Sequence, residues 1–316
     1  MTSRPRTSRP LVVAVVGPTA TGKSDLGLHL AEELGGEVVN ADASQLYRGM
    51  DIGTAKLSVA ERRGIPHHQL DVLDVTQEAS VAAYQQAARA DIAAIQGRGA
   101  HPVVVGGSGL YVRAALDVLD IPPTDPAVRA RLEAEAEAVG PEAVYERLCE
   151  VDPVAAQAIE PRNVRRVVRA LEVVELTGRP FSATMPRREH LQPTTTIGLR
   201  LDRGVLDDRI AQRVARMWDD GLLEEARGLE RRGLRQGRTA SRALGYAQAL
   251  AELDGTMTRE EAQAQTTAMT RRFARRQESW FTPDPRIAWL DATDPGLVPR
   301  AVALVRAAIG ENDRHG

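Results

Sequence analysis

Residues 12–24 read VVAVVGPTATGKS, and this stretch decides which fold the sequence predicts. The run Val12–Val16 is continuously apolar, which is typical of a strand that is buried on both faces of a sheet. The next eight residues match the P-loop pattern G-x-x-x-x-G-K-[ST], and a leucine-rich helical segment begins at Asp25. A strand, a glycine-bounded turn and a helix in this order predict a loop that binds phosphate.

Each position of the predicted P-loop suits an anion. Gly17 and Gly22 let the backbone curl so that successive N–H groups point inward, and the positive end of the following helix faces the same hollow. Lys23 is expected to reach the terminal phosphates, and the Ser24 hydroxyl to bind a Mg²⁺ ion that bridges them. The predicted diphosphate- or nucleotide-binding residues are Gly17, Pro18, Thr19, Ala20, Thr21, Gly22, Lys23 and Ser24.

The usage of basic residues supports a working phosphate site. The chain has 41 basic residues, of which 39 are arginine and two, Lys23 and Lys56, are lysine. Arginine serves wherever a positive charge alone is needed, whereas the compact ammonium group of lysine fits inside a tight phosphate loop. The presence of Lys23 at the P-loop position therefore argues against a chance match.

The composition predicts a globular protein of the cytoplasm. Hydrophobic residues make up 43% of the 316 residues, and no apolar run approaches the length of about 18 residues that a membrane span needs. The single cysteine, Cys149, excludes an internal disulfide and a cysteine-based zinc site. No apolar stripe suggests an oligomer interface, so we expect a monomer. Residues 1–10 are predicted to be a flexible tail.

Strands and helices alternate along much of the chain, which predicts an α/β fold with a P-loop, doubly wound parallel sheet. Further strands are predicted at 37–42, 69–75, 103–106, 195–201 and 287–290. Core helices are predicted at 79–96, 205–232 and 259–280, with a short closing helix from residue 296. Residues 127–178 are helical and charged without a strand. The predicted divisions are a first part of the core at 11–121, an inserted all-helical domain at 122–194 and a second part of the core with C-terminal helices at 195–316.

Residues 42–56, DASQLYRGMDIGTAK, are a second candidate site segment. They follow the predicted second strand, are polar, and show neither a helical nor a strand period. Open α/β sheets bind ligands in irregular loops at the carboxyl ends of their strands, so this loop is predicted to bind substrate. The alternative interpretation is a plain surface loop.

Arginine clusters make nucleic acid a candidate partner although the formal net charge is −2. Four arginines lie within residues 162–169 and four more within 271–276. Clustered cations can bind a polyanion that the average charge would repel. For the second cluster, a solvated arginine face is an equally good interpretation.

Five motifs stand together in this chain: GPTATGKS at 17–24, DASQLYRGMDIGTAK at 42–56, GGSGLY at 106–111, RVVRALEV at 166–173 and SRALGY at 241–246. The set closely resembles the tRNA dimethylallyltransferase family, over roughly residues 11–290. The second motif is specific to that family in a way that the P-loop is not. Eukaryotic members add a cysteine-bearing zinc finger that this chain lacks, so it resembles the bacterial type.

The resemblance implies transfer of a dimethylallyl group from dimethylallyl diphosphate to N6 of adenosine 37 in tRNA. It implies catalytic roles for Asp42, Ser108 and Arg242, with Asp42 as the general base for a weakly nucleophilic adenine amine. The P-loop and a Mg²⁺ on Ser24 would stabilise the leaving diphosphate. The implied tRNA-binding residues are Asp42, Ala43, Ser44, Gln45, Ser108, Arg129, Arg165, Arg166 and Arg169.

Other activities stay open on the residues alone. A small-molecule P-loop kinase or NTPase would have the same loop, with Asp71 or Asp74 as its Walker B carboxylate, but it gives residues 42–56 no role. A prenyl transferase acting on free adenine nucleotides is a second alternative, against which the arginine-rich helical insertion favours a macromolecular substrate. A non-catalytic nucleic-acid-binding module would leave a complete phosphate loop unused.

Overall fold

The computed structural model of the protein describes residues 9–184 and 188–315. The described residues fall into two compact units, one from the segments 9–116 and 190–315 and the other from the segment 117–189. In the sequence, the smaller unit is inserted between the two segments of the larger unit. The predicted tail at residues 1–10 lies outside the described ranges except for Arg9 and Pro10.

The described residues of the larger unit contain a six-stranded parallel sheet, which confirms the predicted α/β fold. The strands are β1 (Val12–Val16), β2 (Glu37–Asn40), β3 (His67–His68), β4 (Pro102–Gly106), β5 (Thr194–Arg200) and β6 (Ile287–Asp291). Their order across the sheet is β3-β2-β4-β1-β5-β6. Every residue of β1 and β4 is buried, as expected for central strands that are covered on both faces.

Helices cover the sheet and build the smaller unit. In chain order they are α1 (Lys23–Leu34), α2 (Val81–Gly97), α3 (Gly109–Leu116), α4 (Pro126–Val139), α5 (Pro141–Val151), α6 (Pro153–Ala158), α7 (Val164–Thr177), α8 (Arg203–Asp219), α9 (Leu222–Glu230), α10 (Tyr246–Leu253), α11 (Arg259–Phe281) and α12 (Leu297–His315). None of those described is both long enough and apolar enough to cross a bilayer.

Two apolar clusters hold the larger unit together. In the first, Leu30 of α1 and Val305 of α12 pack with Val13 and Ile197 of the sheet. The second joins α8, α9, α10 and α11 to the loop after β2, where Tyr47 is buried. The second cluster therefore fixes the irregular loop of residues 42–56 against helices that come more than 150 residues later.

The smaller unit is helical in its described part. Helices α4, α5 and α7 bury a cluster of apolar side chains that includes Leu132, Val144, Leu148, Val167 and Leu171. Three of its helices begin at a proline, which fits the first turn because no N–H is needed there.

Three predicted elements were wrong. Residues 69–75 are not a strand, since Gln69 and Asp71 have φ of 59° and 56°, values that an extended chain does not adopt. The helix predicted at 205–232 is interrupted between α8 and α9, because Gly221 has φ of 99°. The closing helix is not short, as α12 spans 19 residues.

Glu172 of α7 is fully buried and organises the charged groups of the smaller unit. Its carboxylate accepts hydrogen bonds from Arg129 at 2.6 Å, from Arg169 at 2.8 Å and from the Asp125 N–H at 2.9 Å. Burial raises the pKa of Glu172, but the hydrogen bonds from these three groups outweigh burial and hold the pKa below its ordinary value of 4.5.

Glu172→Ala should destabilise the smaller unit by about 3 kcal/mol, because two arginines and a buried N–H lose their acceptor. The control Glu175→Ala removes an exposed partner of Arg131 and should cost less than about 1 kcal/mol. Hydrogen exchange of the α4 and α7 amides in the intact protein measures both changes. Equal protection losses in the two variants would contradict this role of Glu172.

The same carboxylate should make the smaller unit sensitive to acid. Because folding lowers the pKa of Glu172, its stabilising contribution is fully present above its ordinary pKa and is lost as the pH falls through the lower, folded-state value. The exchange protection of α7 in the wild type should therefore fall with acidification more steeply than in Glu172→Gln. Parallel pH profiles of the two proteins would contradict this expectation.

Candidate active site

The P-loop follows β1 and closes tightly on the sheet. Gly17 has φ of 135°, and a Cβ at this position would lie 2.5 Å from the carbonyl oxygen of Leu199, so glycine is required. The Thr21 hydroxyl donates to the carbonyl of Pro18 at 2.8 Å, and Lys23 Nζ donates to the same carbonyl at 2.6 Å. The ammonium group of Lys23 is thus held over the loop by a neutral acceptor, with donors left for an anion.

Asp42 lies two residues beyond β2 and has a fixed orientation. The Asp42 N–H donates to Asn40 Oδ1 at 3.0 Å, and Asp42 Oδ1 accepts from the Ser44 N–H at 2.9 Å. The other carboxylate oxygen of Asp42 has no hydrogen-bond partner among the described residues. One oxygen of an ordered carboxylate is therefore available to a ligand.

Ser108, just beyond β4, supports the loop that carries Asp42. Its hydroxyl accepts from the Ala43 N–H at 3.2 Å, and its own N–H donates to the carbonyl of Ala41 at 3.3 Å. Gln45 Nε2 donates to the carbonyl of Thr54 at 3.1 Å, which closes the loop of residues 42–56 on itself. Ser108, which follows β4, therefore bonds both chain neighbours of Asp42, which are Ala41 and Ala43.

The P-loop and Asp42 line a single cavity with an empty volume of about 650 Å³, part of which is open to solvent. Its polar lining includes Thr19, Lys23, Ser24, Asn40, Asp42, Gln45, Thr54, His67 and Arg213. Its apolar lining includes Val38, Ala55, Leu57, Leu70 and Val105. Such a mixture suits a ligand that joins an anionic group to a short apolar one.

Arg213 of α8 is a cavity residue that the sequence interpretation missed. Its guanidinium donates to the Thr19 hydroxyl at 3.2 Å and to the carbonyl of Thr54 at 3.3 Å. The sequence could have indicated this residue, because Arg213 lies on the face of α8 that buries Ile210 and Met217. An arginine at a core-facing position of an amphipathic helix needs an anionic or polar partner.

Two cations and one carboxylate face each other in this cavity. Burial lowers the pKa of Lys23 to about 8, while Asp42 raises it and Arg213 lowers it. Burial also lowers the pKa of Arg213, with Asp42 acting in the opposite direction. Both cations are thus incompletely neutralised, and an anion bound between them would stabilise their charged forms.

Comparison with known proteins identifies the family of this chain. The model of the family described as IPP transferase matches residues 45–284. The chain belongs to the IPP transferase family. A tRNA dimethylallyltransferase of Streptomyces coelicolor is 58% identical over 303 residues, which cover 95% of this chain and 97% of that protein. One from Kineococcus radiotolerans is 61% identical over 307 residues, which cover 94% of this chain and 97% of that protein.

Solved structures of similar proteins share the fold. A full-length tRNA isopentenylpyrophosphate transferase from Bacillus halodurans aligns with a TM-score of 0.71 at 39% identity, over 96% of this chain and 98% of that one. A eukaryotic dimethylallyltransferase, solved acting on tRNA, aligns with a TM-score of 0.83 at 28% identity. That alignment covers 96% of this chain and 80% of the eukaryotic one.

Glu225 of α9 holds the middle of the 42–56 loop in this family member. Its carboxylate accepts from the N–H groups of Asp51 at 3.2 Å and Ile52 at 2.9 Å, and from the Tyr246 hydroxyl at 2.5 Å. No pattern in the sequence predicts this contact, because Glu225 lies 173 residues from Ile52 in a helix with several other charged residues.

Lys56 holds the end of the same loop. Its side chain is 1% exposed, and Nζ donates to the carbonyl of Tyr47, to Asp51 and to Asp71 at distances of 2.6 to 2.7 Å. All three donors of the ammonium group are therefore used. The second lysine of the chain supports the loop and does not line the cavity.

The remaining predicted residues lie outside the cavity. Arg242 is exposed in the turn Ala240–Arg242 and is not among the cavity-lining residues. The Walker B candidates of a kinase are also elsewhere: Asp71 pairs with Lys56, and Asp74 pairs with Arg48 at 3.2 Å. Neither aspartate lies on a strand or lines the cavity, so neither occupies a Walker B position.

The four arginines predicted to bind tRNA divide into two pairs. Arg129 and Arg169 are bound to Glu172 in the smaller unit. Arg165 and Arg166 are exposed on α7, and neither guanidinium has a hydrogen-bond or ion-pair partner among the described residues. Arg165 and Arg166 have no described ion-pair partner, whereas Arg129 and Arg169 share the single carboxylate of Glu172.

Binding of inorganic diphosphate should depend on the protonation of Lys23. The ammonium form dominates below a pKa of about 8, so affinity should fall as the pH rises through that value. Lys23→Ala should bind about tenfold to a hundredfold more weakly at neutral pH, as expected for a lost hydrogen bond to a charged group. Calorimetric titrations of both proteins from about pH 7 to 9 separate this step from ionisation of the ligand itself.

Arg213→Met provides the matched control for that experiment. Arg213 lowers the pKa of Lys23, so its removal should weaken diphosphate binding but move the pH-dependent step to higher pH. A step at the same pH in Arg213→Met, or an unchanged affinity in Lys23→Ala, would contradict this description of the site.

Proposed function

We propose that the protein transfers the dimethylallyl group of dimethylallyl diphosphate to the exocyclic N6 amine of adenosine 37 in tRNA. Membership of the IPP transferase family and the named activity of relatives 58–61% identical support the transferase activity. The single observation that carries the mechanism is the common cavity of the P-loop and Asp42. The P-loop suits the leaving diphosphate, and Asp42 suits the adenine amine that attacks.

The reaction forms a bond between N6 and the first carbon of the dimethylallyl group while that carbon's bond to the diphosphate oxygen breaks. The oxygen takes the bonding electrons, so negative charge grows on the diphosphate as it leaves. The P-loop N–H groups, Lys23 and Arg213 are available to stabilise that charge. The apolar lining of Val38, Leu57 and Leu70 suits the five-carbon group.

Asp42 is proposed to accept the proton that N6 loses. An adenine amine is a weak nucleophile because its lone pair is delocalised into the ring, so removal of its proton assists the attack. Asp42 has one free carboxylate oxygen, the Ser44 N–H donates to the other, and the Asn40 side chain holds the Asp42 backbone. The neighbouring Ala43, Ser44, Gln45 and Ser108 are proposed to contact the base or the loop around it.

Mg²⁺ is the proposed metal, and the residues of the cavity fit it. The Ser24 hydroxyl lines the cavity and has no hydrogen-bond partner among the described residues, so it is free to bind the ion. Mg²⁺ usually keeps several water ligands and binds substrate phosphates beside few protein ligands, so a single P-loop hydroxyl suits it. When bound, the metal would neutralise charge on the diphosphate.

The tRNA side of the proposal rests on charge in the smaller unit. Arg165 and Arg166 are exposed and uncompensated, and they lie on one short stretch of α7. Arg129 and Arg169 both bind the buried carboxylate of Glu172, so we assign them first to the stability of that unit. The enzyme is proposed to act as a monomer in the cytoplasm, where tRNA is modified.

Incubation with labelled dimethylallyl diphosphate tests the proposed activity. Label should enter unmodified tRNA and should not enter AMP or a tRNA with guanosine at position 37. Labelled AMP would support a transferase acting on free nucleotides, and phosphate transfer from ATP to a small molecule without any labelled tRNA would support a kinase. Either result would overturn the proposal.

Asp42→Asn should lower kcat by about a hundredfold to ten-thousandfold, because the amide keeps the shape of the carboxylate but does not accept a proton. Affinity for tRNA should change little, so the loss should appear in kcat and not in KM. If Asp42 instead supports the metal, diphosphate binding will weaken and raised Mg²⁺ will restore activity. Kinetics across a Mg²⁺ titration distinguish these roles, and wild-type turnover would exclude both.

Replacing Arg165 and Arg166 with glutamine should weaken tRNA binding and flatten its dependence on salt. Each lost phosphate contact should reduce the slope of log K against log salt by about 0.7 to 0.9. Arg131→Gln is the matched control, since it removes an exposed arginine of the same unit that already pairs with Glu175. Equal slopes in the wild type and the double variant would place the tRNA on another surface.

A further inference from the structure

Gln277 is a buried amide that ties two loops of the cavity together. It lies near the end of α11 and is 4% exposed. Its Oε1 accepts from the Thr19 N–H of the P-loop at 2.8 Å, and its Nε2 donates to the carbonyl of Gly107, beyond β4, at 3.0 Å. One side chain thus binds the loops that follow two neighbouring strands, β1 and β4.

The surrounding structure is built to admit this amide. A Cβ on Gly107 would lie 2.2 Å from Gln277 Nε2, so a larger residue at that position would displace the side chain. The two contacts need an acceptor and a donor at the ends of one planar group, and the carboxamide of glutamine supplies both. No hydrogen bond of Gln277 to residues lining the rest of the cavity is among those described, so both described contacts are to backbone.

The contacts of Gln277 continue to the proposed base. Gly107 is followed by Ser108, whose hydroxyl accepts from the Ala43 N–H next to Asp42. On the other side, Thr19 also accepts from Arg213 through its hydroxyl. A continuous series of hydrogen bonds therefore runs from the diphosphate side of the cavity through Gln277 to the residue beside Asp42.

We propose that Gln277 is a positioning residue, which sets the separation between the P-loop and the loop of Ser108 and so the distance between the transferred carbon and the adenine amine. The proposal rests on the proposed function, in which these two loops hold the two reactants. It assigns Gln277 no contact with substrate. Its effect on the rate comes from geometry, because a displacement of about 1 Å can cost about a hundredfold in rate.

Gln277→Ala removes both contacts and is the first test. Its single-turnover rate with saturating substrates should fall about tenfold to a hundredfold, while tRNA affinity stays within about twofold of the wild type. Gln96→Ala is the matched control, since Gln96 is 6% exposed and its Nε2 bonds the carbonyl of Pro10 at 2.7 Å. That variant removes a buried glutamine that does not line the cavity and should keep the wild-type rate.

Gln277→Glu provides a second test, the pH dependence of the rate, which a loss of stability alone would not change. An ionised carboxylate still accepts from the Thr19 N–H but does not donate to Gly107, whereas the protonated form does both. The rate of Gln277→Glu relative to the wild type should therefore rise as the pH falls. A flat ratio would contradict the proposal, as would a rate in Gln277→Ala within twofold of the wild type or a matching loss in Gln96→Ala.

Hydrogen exchange separates this proposal from the proposed function. Peptides covering residues 17–22 and 106–109 should exchange faster in Gln277→Ala than in the wild type, and unchanged exchange would overturn the positioning role even in an active enzyme. If the wild type transfers no label to tRNA but the exchange difference is present, the proposed function fails while the contact between the loops stands.

Discussion

The parallel register of β1, β4 and β2 is the constraint on which the active site depends. Val16 pairs with Gly106 and Asn40 pairs with Val105, so the loops after all three strands begin at one edge of the sheet. Gly106 has no room for a side chain, because a Cβ would lie 2.3 Å from the carbonyl of Ala41. This close approach brings the P-loop and Asp42 to one cavity.

Buried apolar side chains and charged groups together hold the loop of residues 42–56. Ordering an irregular loop costs about 1 to 2 kcal/mol of backbone entropy per residue, which its contacts must offset. Glu225 binds the N–H groups of Asp51 and Ile52, and Lys56 binds the carboxylates of Asp51 and Asp71. The family-specific motif therefore contains residues that line the cavity and residues that only hold the loop in shape.

The sequence predicted what short-range patterns determine. The apolar run before Gly17 identified the P-loop and the parallel sheet, and the DASQLY motif identified the loop of Asp42. Arg213, Glu225 and Gln277 were missed, because their partners lie 159 to 258 residues away and depend on how α8, α9 and α11 pack. The false strand at 69–75 arose from the apolar residues Leu70, Val72, Leu73 and Val75, but Gln69 and Asp71 have positive φ, so the segment is not extended.

A crystal structure of the protein with an unreactive thio-analogue of dimethylallyl diphosphate and an unmodified anticodon stem-loop tests the central claim most directly. We expect the diphosphate on the P-loop amides and Lys23, and the free oxygen of Asp42 within hydrogen-bond distance, about 3 Å, of N6 of adenosine 37. An adenine outside the cavity, or an Asp42 carboxylate turned away from N6 toward the diphosphate, would contradict it.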